Sequence, residues 1–134
     1  MRFILLLALW LVVGSLGHTT ETQDTPTISL YAPRQCQPCA DWAAQLAAAG
    51  YMLDWQEKEP AALRKIERWL NVPSGYESLH IARVKGYFLA GPIPMHAIQC
   101  LITEKPSARG LVRAEGGSIH LVGHDGRVVA TPWP

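Results

Sequence analysis

Cys36-Gln37-Pro38-Cys39 constrains this chain more than any other stretch. It lies between an apolar run, Ile28-Ser29-Leu30-Tyr31, and an alanine-rich run from Ala40 to Ala49. The pattern predicts two thiols at the junction of a strand and a helix. Thiols at this spacing can close a disulfide or grip a soft metal ion. The unpaired N–H groups and dipole of a helix N-terminus favour the thiolate, which is both the nucleophile and the metal ligand.

The 134-residue chain opens with Met1-Arg2, then an apolar run from Phe3 to Val13, then Ser15-Leu16-Gly17 with small residues at both ends. A short positive start, an apolar core too short to span a bilayer comfortably, and small residues at a cleavage point predict a secretory signal over 1–17, cut near His18, with an uncleaved membrane anchor as the alternative. That places the protein in the periplasm or outside the cell, with no stable membrane anchor after cleavage. Residues 18–27 are polar and predict a flexible lead-in. The remainder, about 117 residues, suffices for one small domain, expected over 28–131. Without Arg2 the 12 basic residues fall to 11, matching the 11 acidic ones. With no net charge and no basic stripe, nucleic acid is excluded as a partner class.

The first helix is expected from Pro38 or Cys39 to just before Gly50, a residue suited to a left-handed cap. Its inward stripe is Trp42, Ala43, Leu46 and Ala47. Tyr51, Leu53 and Trp55 alternate with Met52, Asp54 and Gln56, the period of a half-buried strand. Pro60 opens a second helix, with Leu63, Ile66 and Leu70 inward, which Asn71-Val72-Pro73 ends. Leu79–Val84 and Tyr87–Ala90 read as a hairpin turning at Lys85-Gly86. A third helix runs from Met95 to about Glu104, and Ser118–Val122 with Arg127–Ala130 makes a last hairpin. A strand–helix–strand opening implies a right-handed parallel crossover. The order predicts an α/β, thioredoxin-like fold: a mixed sheet with flanking helices, the dithiol after the first strand, and an added C-terminal β-hairpin.

In thioredoxin-like redox proteins, which this Cys-x-Pro-Cys pattern resembles, the first cysteine attacks and the second resolves. If the hairpin is similar to that of glutaredoxin-like proteins, aligning on Gly86 puts His80 at the position of their cis-proline, facing the thiols. An imidazole beside two thiolates makes a three-coordinate site for Cu(I); the bland alternative is a core histidine bonded to a backbone carbonyl. Cys100, among Ile98, Leu101 and Ile102, reads as core, and so do Trp42, Trp55 and Trp69. Met95-His96 is a surface pair able to bind copper, His120 and His124 fall on the last hairpin, and Arg34 stands close enough in sequence to help stabilise a thiolate.

Several stretches resemble the CopG-type periplasmic copper-resistance proteins, a family of formerly unknown function. They are Cys36…Cys39-Ala40-Asp41-Trp42, Asn71-Val72-Pro73, Ser78-Leu79-His80-Ile81-Ala82, Gly86-Tyr87-Phe88-Leu89-Ala90-Gly91, Lys105-Pro106-Ser107-Ala108-Arg109-Gly110-Leu111 and Asp125-Gly126-Arg127-Val128. The resemblance implies a thioredoxin-like fold and copper handling by a cysteine cluster. The chain departs from that pattern at Pro38, where the family has a middle cysteine, at Leu79, where it has a cysteine before its histidine, and at a shortened loop, Glu115-Gly116-Gly117-Ser118. Only Cys36, Cys39 and His80 carry over, enough for one Cu(I) and too few for a multinuclear cluster.

Three functions therefore stand at this level. The first is binding of Cu(I) by Cys36 and Cys39 with His80 as third ligand. The second is thiol–disulfide exchange by Cys36 and Cys39 with a protein partner. The third is an interaction module that has lost its chemistry, contacting a partner through the last hairpin and Pro132-Trp133-Pro134.

Overall fold

The computed structural model describes residues 25–133, with Gly14 and Gly17 upstream of them. The signal expected over 1–17, and all but the end of the lead-in expected over 18–27, lie outside the described residues.

The first unit is strand β1 (Thr27–Ala32), helix α1 (Gln37–Ala48), strand β2 (Met52–Glu57) and helix α2 (Pro60–Trp69). The hairpin β3 (Ile81–Val84) and β4 (Tyr87–Ala90) follows, then α3 (Met95–Glu104), β5 (Gly110–Arg113), β6 (Ile119–Val122) and β7 (Val128–Ala130). The seven strands form one sheet in the order β2-β1-β3-β4-β5-β6-β7. β1 runs parallel to β2 and antiparallel to β3, and β4 runs parallel to β5. Each parallel pair is joined across a helix, as parallel connections require. This is the mixed α/β, thioredoxin-like arrangement that the element order predicts.

Local chemistry explains the boundaries. Gly50, at φ 95°, carries the chain out of α1 in the left-handed region. Lys85 and Gly86 both have positive φ, 49° and 84°, as a two-residue hairpin turn with matching twist requires.

Two apolar layers sandwich the sheet. On one face Ile28, Leu30, Ala82 and Leu89 pack with Trp42 and Leu46 of α1 and Ile98 and Leu101 of α3. On the other, Ile81, Phe88, Ala90 and Val112 pack with Ile66 and Leu70 at α2. Neighbours such as Ile81 and Ala82 fall in opposite layers because strand side chains alternate, so the central strands read as continuous apolar runs.

Several expectations need correction. β5 was not foreseen as a strand; it seats the last hairpin on β4. β3 begins at Ile81, and Leu79 before it is 54% exposed. Ala47 faces solvent because the inward stripe of α1 narrows to Cys39, Trp42, Ala43 and Leu46. Trp55 is 36% exposed because β2 is an edge strand with one neighbour. Trp69 is 67% exposed, and its ring carries the Arg83 guanidinium 5.0 Å from the ring centroid. The inward face of α3 is Ala97, Ile98 and Leu101, which turns Cys100 to a half-buried flank. Trp133 folds back on the domain, its indole N–H donating to the Glu104 carboxylate at 2.8 Å, so it is not a free tail.

Candidate dithiol site

β1 ends at Ala32, and Pro33-Arg34-Gln35 turns the chain into α1. Gln35 takes a left-handed φ of 55° to make that turn. Cys36 is the N-cap of α1, and its Sγ accepts the Cys39 backbone N–H at 3.2 Å. A sulfur thus takes the place usually held by a serine or aspartate oxygen. Pro38 fits the first turn because its missing N–H would have had no partner inside the helix.

Cys36 and Cys39 are joined by a disulfide across a Cα separation of 5.3 Å, within the usual range. Cys36 is 8% exposed and Cys39 is completely buried. Both cysteines are therefore buried, Cys36 slightly less than Cys39, and both sit where the helix N-terminus stabilises negative charge.

Trp42 lies one turn beyond Cys39 on the same buried face of α1. Its indole N–H donates to the Ile93 carbonyl at 2.8 Å, tying α1 to the segment before α3. The His80 ring stacks on it, with ring centroids 4.8 Å apart and planes inclined by 26°. Tyr31 pairs with Ile81 in the antiparallel register, so His80 falls opposite Ala32, at the end of β1 from which the dithiol turn leaves.

His80 is 2% exposed, and neither ring nitrogen makes a hydrogen bond. Buried polar atoms rarely go unpartnered. Burial pushes the imidazole below its ordinary value, and the nearby Gly91 backbone opposes this without reaching hydrogen-bonding geometry. The ring is thus held neutral with a lone pair free, the state in which histidine binds metals. The Gly91 backbone is the polar group near enough to act on the ring, as the expected alternative of a core histidine facing a backbone carbonyl requires, but neither ring nitrogen has a partner at full hydrogen-bond geometry. The backbone around it is fixed: Gly91 N–H donates to the His80 carbonyl at 3.2 Å, and Gly91 takes φ 92° with Ser78 where a side chain would go.

The other candidates lie elsewhere. Arg34 is exposed and pairs with Glu57 at 3.8 Å and Glu59 at 4.0 Å. His124 sits in the exposed β6–β7 turn, its carbonyl accepting from Arg109. His120 is on β6, half-buried, with Nδ1 unpartnered. Met95 packs on the first core layer, while His96 is exposed. Among the described residues no group of three or more His, Cys, Asp or Glu side chains is placed to hold a metal ion, so Cys36, Cys39 and His80 are not gathered as one ligand set in this structure. Sequence reasoning missed the Trp42–His80 stack, although a tryptophan three positions after Cys39 on the buried helix face marks it. It also missed Glu67, buried on α2 with Oε2 unpartnered. Burial first, then the Glu77 carboxylate, raise the Glu67 carboxyl above the ordinary glutamate range, and Arg64 opposes them.

No helix among the described residues is long and apolar enough to cross a membrane. Residues 76–115 match the family described as "Protein of unknown function, DUF411", a segment that holds His80, the β3–β4 hairpin, α3 and β5 but not the dithiol. No curated protein matches the chain in sequence. Two solved structures share its fold. "Copper resistance protein copG- Form 2" is 20% identical with a TM-score of 0.70, over 83% of this chain and 100% of that one. "Copper resistance protein copG- Form 1" is 19% identical with a TM-score of 0.68, over 78% of this chain and 94% of that one. The chain accordingly has a mixed α/β, thioredoxin-like fold shared with these two copper-resistance structures, and its segment 76–115 matches the DUF411 family model.

Proposed function

We propose that the reduced Cys36–Cys39 pair binds one Cu(I) ion as cargo, with His80 as third ligand, in the periplasm or outside the cell. The observation that carries this reading is the His80 imidazole: buried, neutral and without a hydrogen-bond partner, beside the helix that bears the thiols. Thiolate and imidazole are the donors a soft monovalent ion selects. The likeness to structures named for copper resistance agrees with that choice. A disulfide suits an oxidising compartment, and so does the signal expected over 1–17. Binding requires the disulfide to be reduced first, because a bonded sulfur offers no thiolate.

The test is a Cu(I) competition with a colorimetric chelator, on reduced full-length protein carrying Cys100→Ser, so that the pair are the only thiols. The unaltered pair should hold about one Cu(I) per chain. Cys36→Ser should lose it, and His80→Phe should weaken it by tenfold or more, the scale on which even outer-shell groups act. Equal competition by the pair and by Cys36→Ser would sink the reading.

A second reading has its own observation. The sulfurs are joined, with Cys36 slightly exposed at 8% and Cys39 completely buried, an asymmetry in the direction of an attacking and a resolving thiol. An insulin-reduction assay with a redox titration of the pair tests for thiol–disulfide exchange. No turnover, with a potential far below that of the compartment, would leave a structural disulfide.

A further inference from the structure

We propose a second soft-metal site, made by His96 and Cys100 on α3 and separate from the dithiol. The two residues are four apart on a ten-residue helix, so the backbone presents them on one face, one turn from each other. His96 Nε2 lies 3.7 Å from Cys100 Sγ, a sulfur–nitrogen hydrogen-bond contact whose donor is set by the imidazole tautomer. Metal–sulfur and metal–imidazole bonds of about 2.3 and 2.0 Å at a tetrahedral angle set the two donor atoms about 3.5 Å apart, and wider angles extend this to about 4.3 Å. The observed separation of 3.7 Å falls inside that span, and the near-linear geometry of a two-donor Cu(I) asks the two side chains to open by about half an ångström.

Access agrees. His96 is exposed and Cys100 half-buried, on the flank of α3 that faces away from Ala97, Ile98 and Leu101. The pair is reachable from solvent and yet held by a helix whose other side is anchored in the core.

The donor count selects the ion. No third His, Cys, Asp or Glu among the described residues joins the pair. Zinc sites take three or four protein ligands. One thiolate with one imidazole suits Cu(I) instead, a soft ion drawn to thiolate. On binding, the Cys100 thiol gives its proton to solvent and the ion bridges Sγ and Nε2, with no change of oxidation state. The site does not rest on the dithiol reading, since it needs no reduced Cys36 or Cys39.

The experiment uses full-length protein with the Cys36–Cys39 disulfide intact, which keeps the dithiol out of the titration. Cu(I) is supplied anaerobically as its acetonitrile complex, without thiol reductant, against a colorimetric Cu(I) chelator. The oxidised protein should retain about one Cu(I) per chain and remain a monomer by size exclusion. Cys100→Ser should abolish retention, and His96→Ala should weaken it by at least about tenfold. Retention unaffected by Cys100→Ser would overturn the site, and so would His96→Ala binding as tightly as wild type, which would leave a lone thiol. One Cu(I) per two chains with dimer formation would overturn it as well, by showing a bridge between copies instead of a chelate on one helix. The double variant Cys36→Ser/Cys39→Ser, used reduced, repeats the measurement with no disulfide present and should give the same order of affinities.

Discussion

The His80 imidazole rests on the Trp42 indole, ring centroids 4.8 Å apart, and so couples the residue before β3 to the helix that begins at the dithiol. Trp42 is 4% exposed and is itself pinned by its bond to the Ile93 carbonyl. Three parts of the chain therefore converge on one ring.

Replacing that ring should be costly. Trp42→Ala should lower stability by about 3–5 kcal/mol, the usual cost of emptying a buried aromatic site. Trp42→Phe keeps a ring for His80 and leaves the Ile93 carbonyl unpartnered, so it should cost about 1–3 kcal/mol. Urea denaturation of both variants checks this, and equal losses would show that the hydrogen bond, not the packed ring, carries the effect.

Acid should weaken the metal-free fold through His80. Its folded-state value lies below the ordinary 6.5, so the unfolded chain takes up the proton first. Stability is then full above about pH 6.5 and declines as pH falls below it, by at most about 1.4 kcal/mol per pH unit, until the buried ring also protonates. Denaturation curves at neutral and mildly acidic pH should show this slope in wild type and a shallower one in His80→Phe, which retains the stack without the charge. Parallel slopes would assign the acid sensitivity elsewhere.

Glu67 should act in the opposite sense. Its folded-state value lies above the ordinary 4.5, so its contribution is fully present below that pH and is lost as pH rises through the raised value. At neutral pH the ionised, buried carboxylate opposes folding. Glu67→Gln should therefore stabilise the protein at pH 7 by on the order of 1 kcal/mol, and the gain should vanish in acid. Thermal melts at the two pH values measure it; a gain that persists in acid would point to packing instead of charge.

Reduction of the disulfide should leave the fold standing. The bridge closes a loop of only about four residues, for which the chain-entropy account gives about 2 kcal/mol at most. Circular dichroism and urea denaturation with and without reductant check this. Loss of cooperative unfolding on reduction would make the bridge a structural staple.

How much of this was legible in the sequence depended on local chemistry. The boundaries of α1, the β3–β4 turn and the start of α2 follow from Pro38, Gly50, Lys85-Gly86 and Pro60, whose backbone preferences act within a few residues. β5 was not legible because it is four residues long, has no alternation, and is specified by pairing with β4 some twenty positions earlier. Trp55 and Trp69 misled because a large aromatic side chain reports hydrophobicity but not whether its element lies at an edge. Cys36 and Cys39 stand where their motif placed them. The place of His80 came through a turn alignment, and its lack of partners is a property of tertiary packing that no local pattern encodes. The resemblance drawn from short stretches agrees with the fold and with the segment 76–115.

The hydrogen bond from Trp42 to Ile93 spans 51 positions of sequence. A fragment ending after β2 would contain both thiols and the helix that activates them, but neither the imidazole nor the carbonyl that fixes the indole. The surroundings of the dithiol are thus complete only when the hairpin has docked on β1 and the segment before α3 has closed over α1. A nascent chain emerging amino-terminus first would expose a bare pair of cysteines for that interval, open to oxidants and stray thiols before its own histidine is in place.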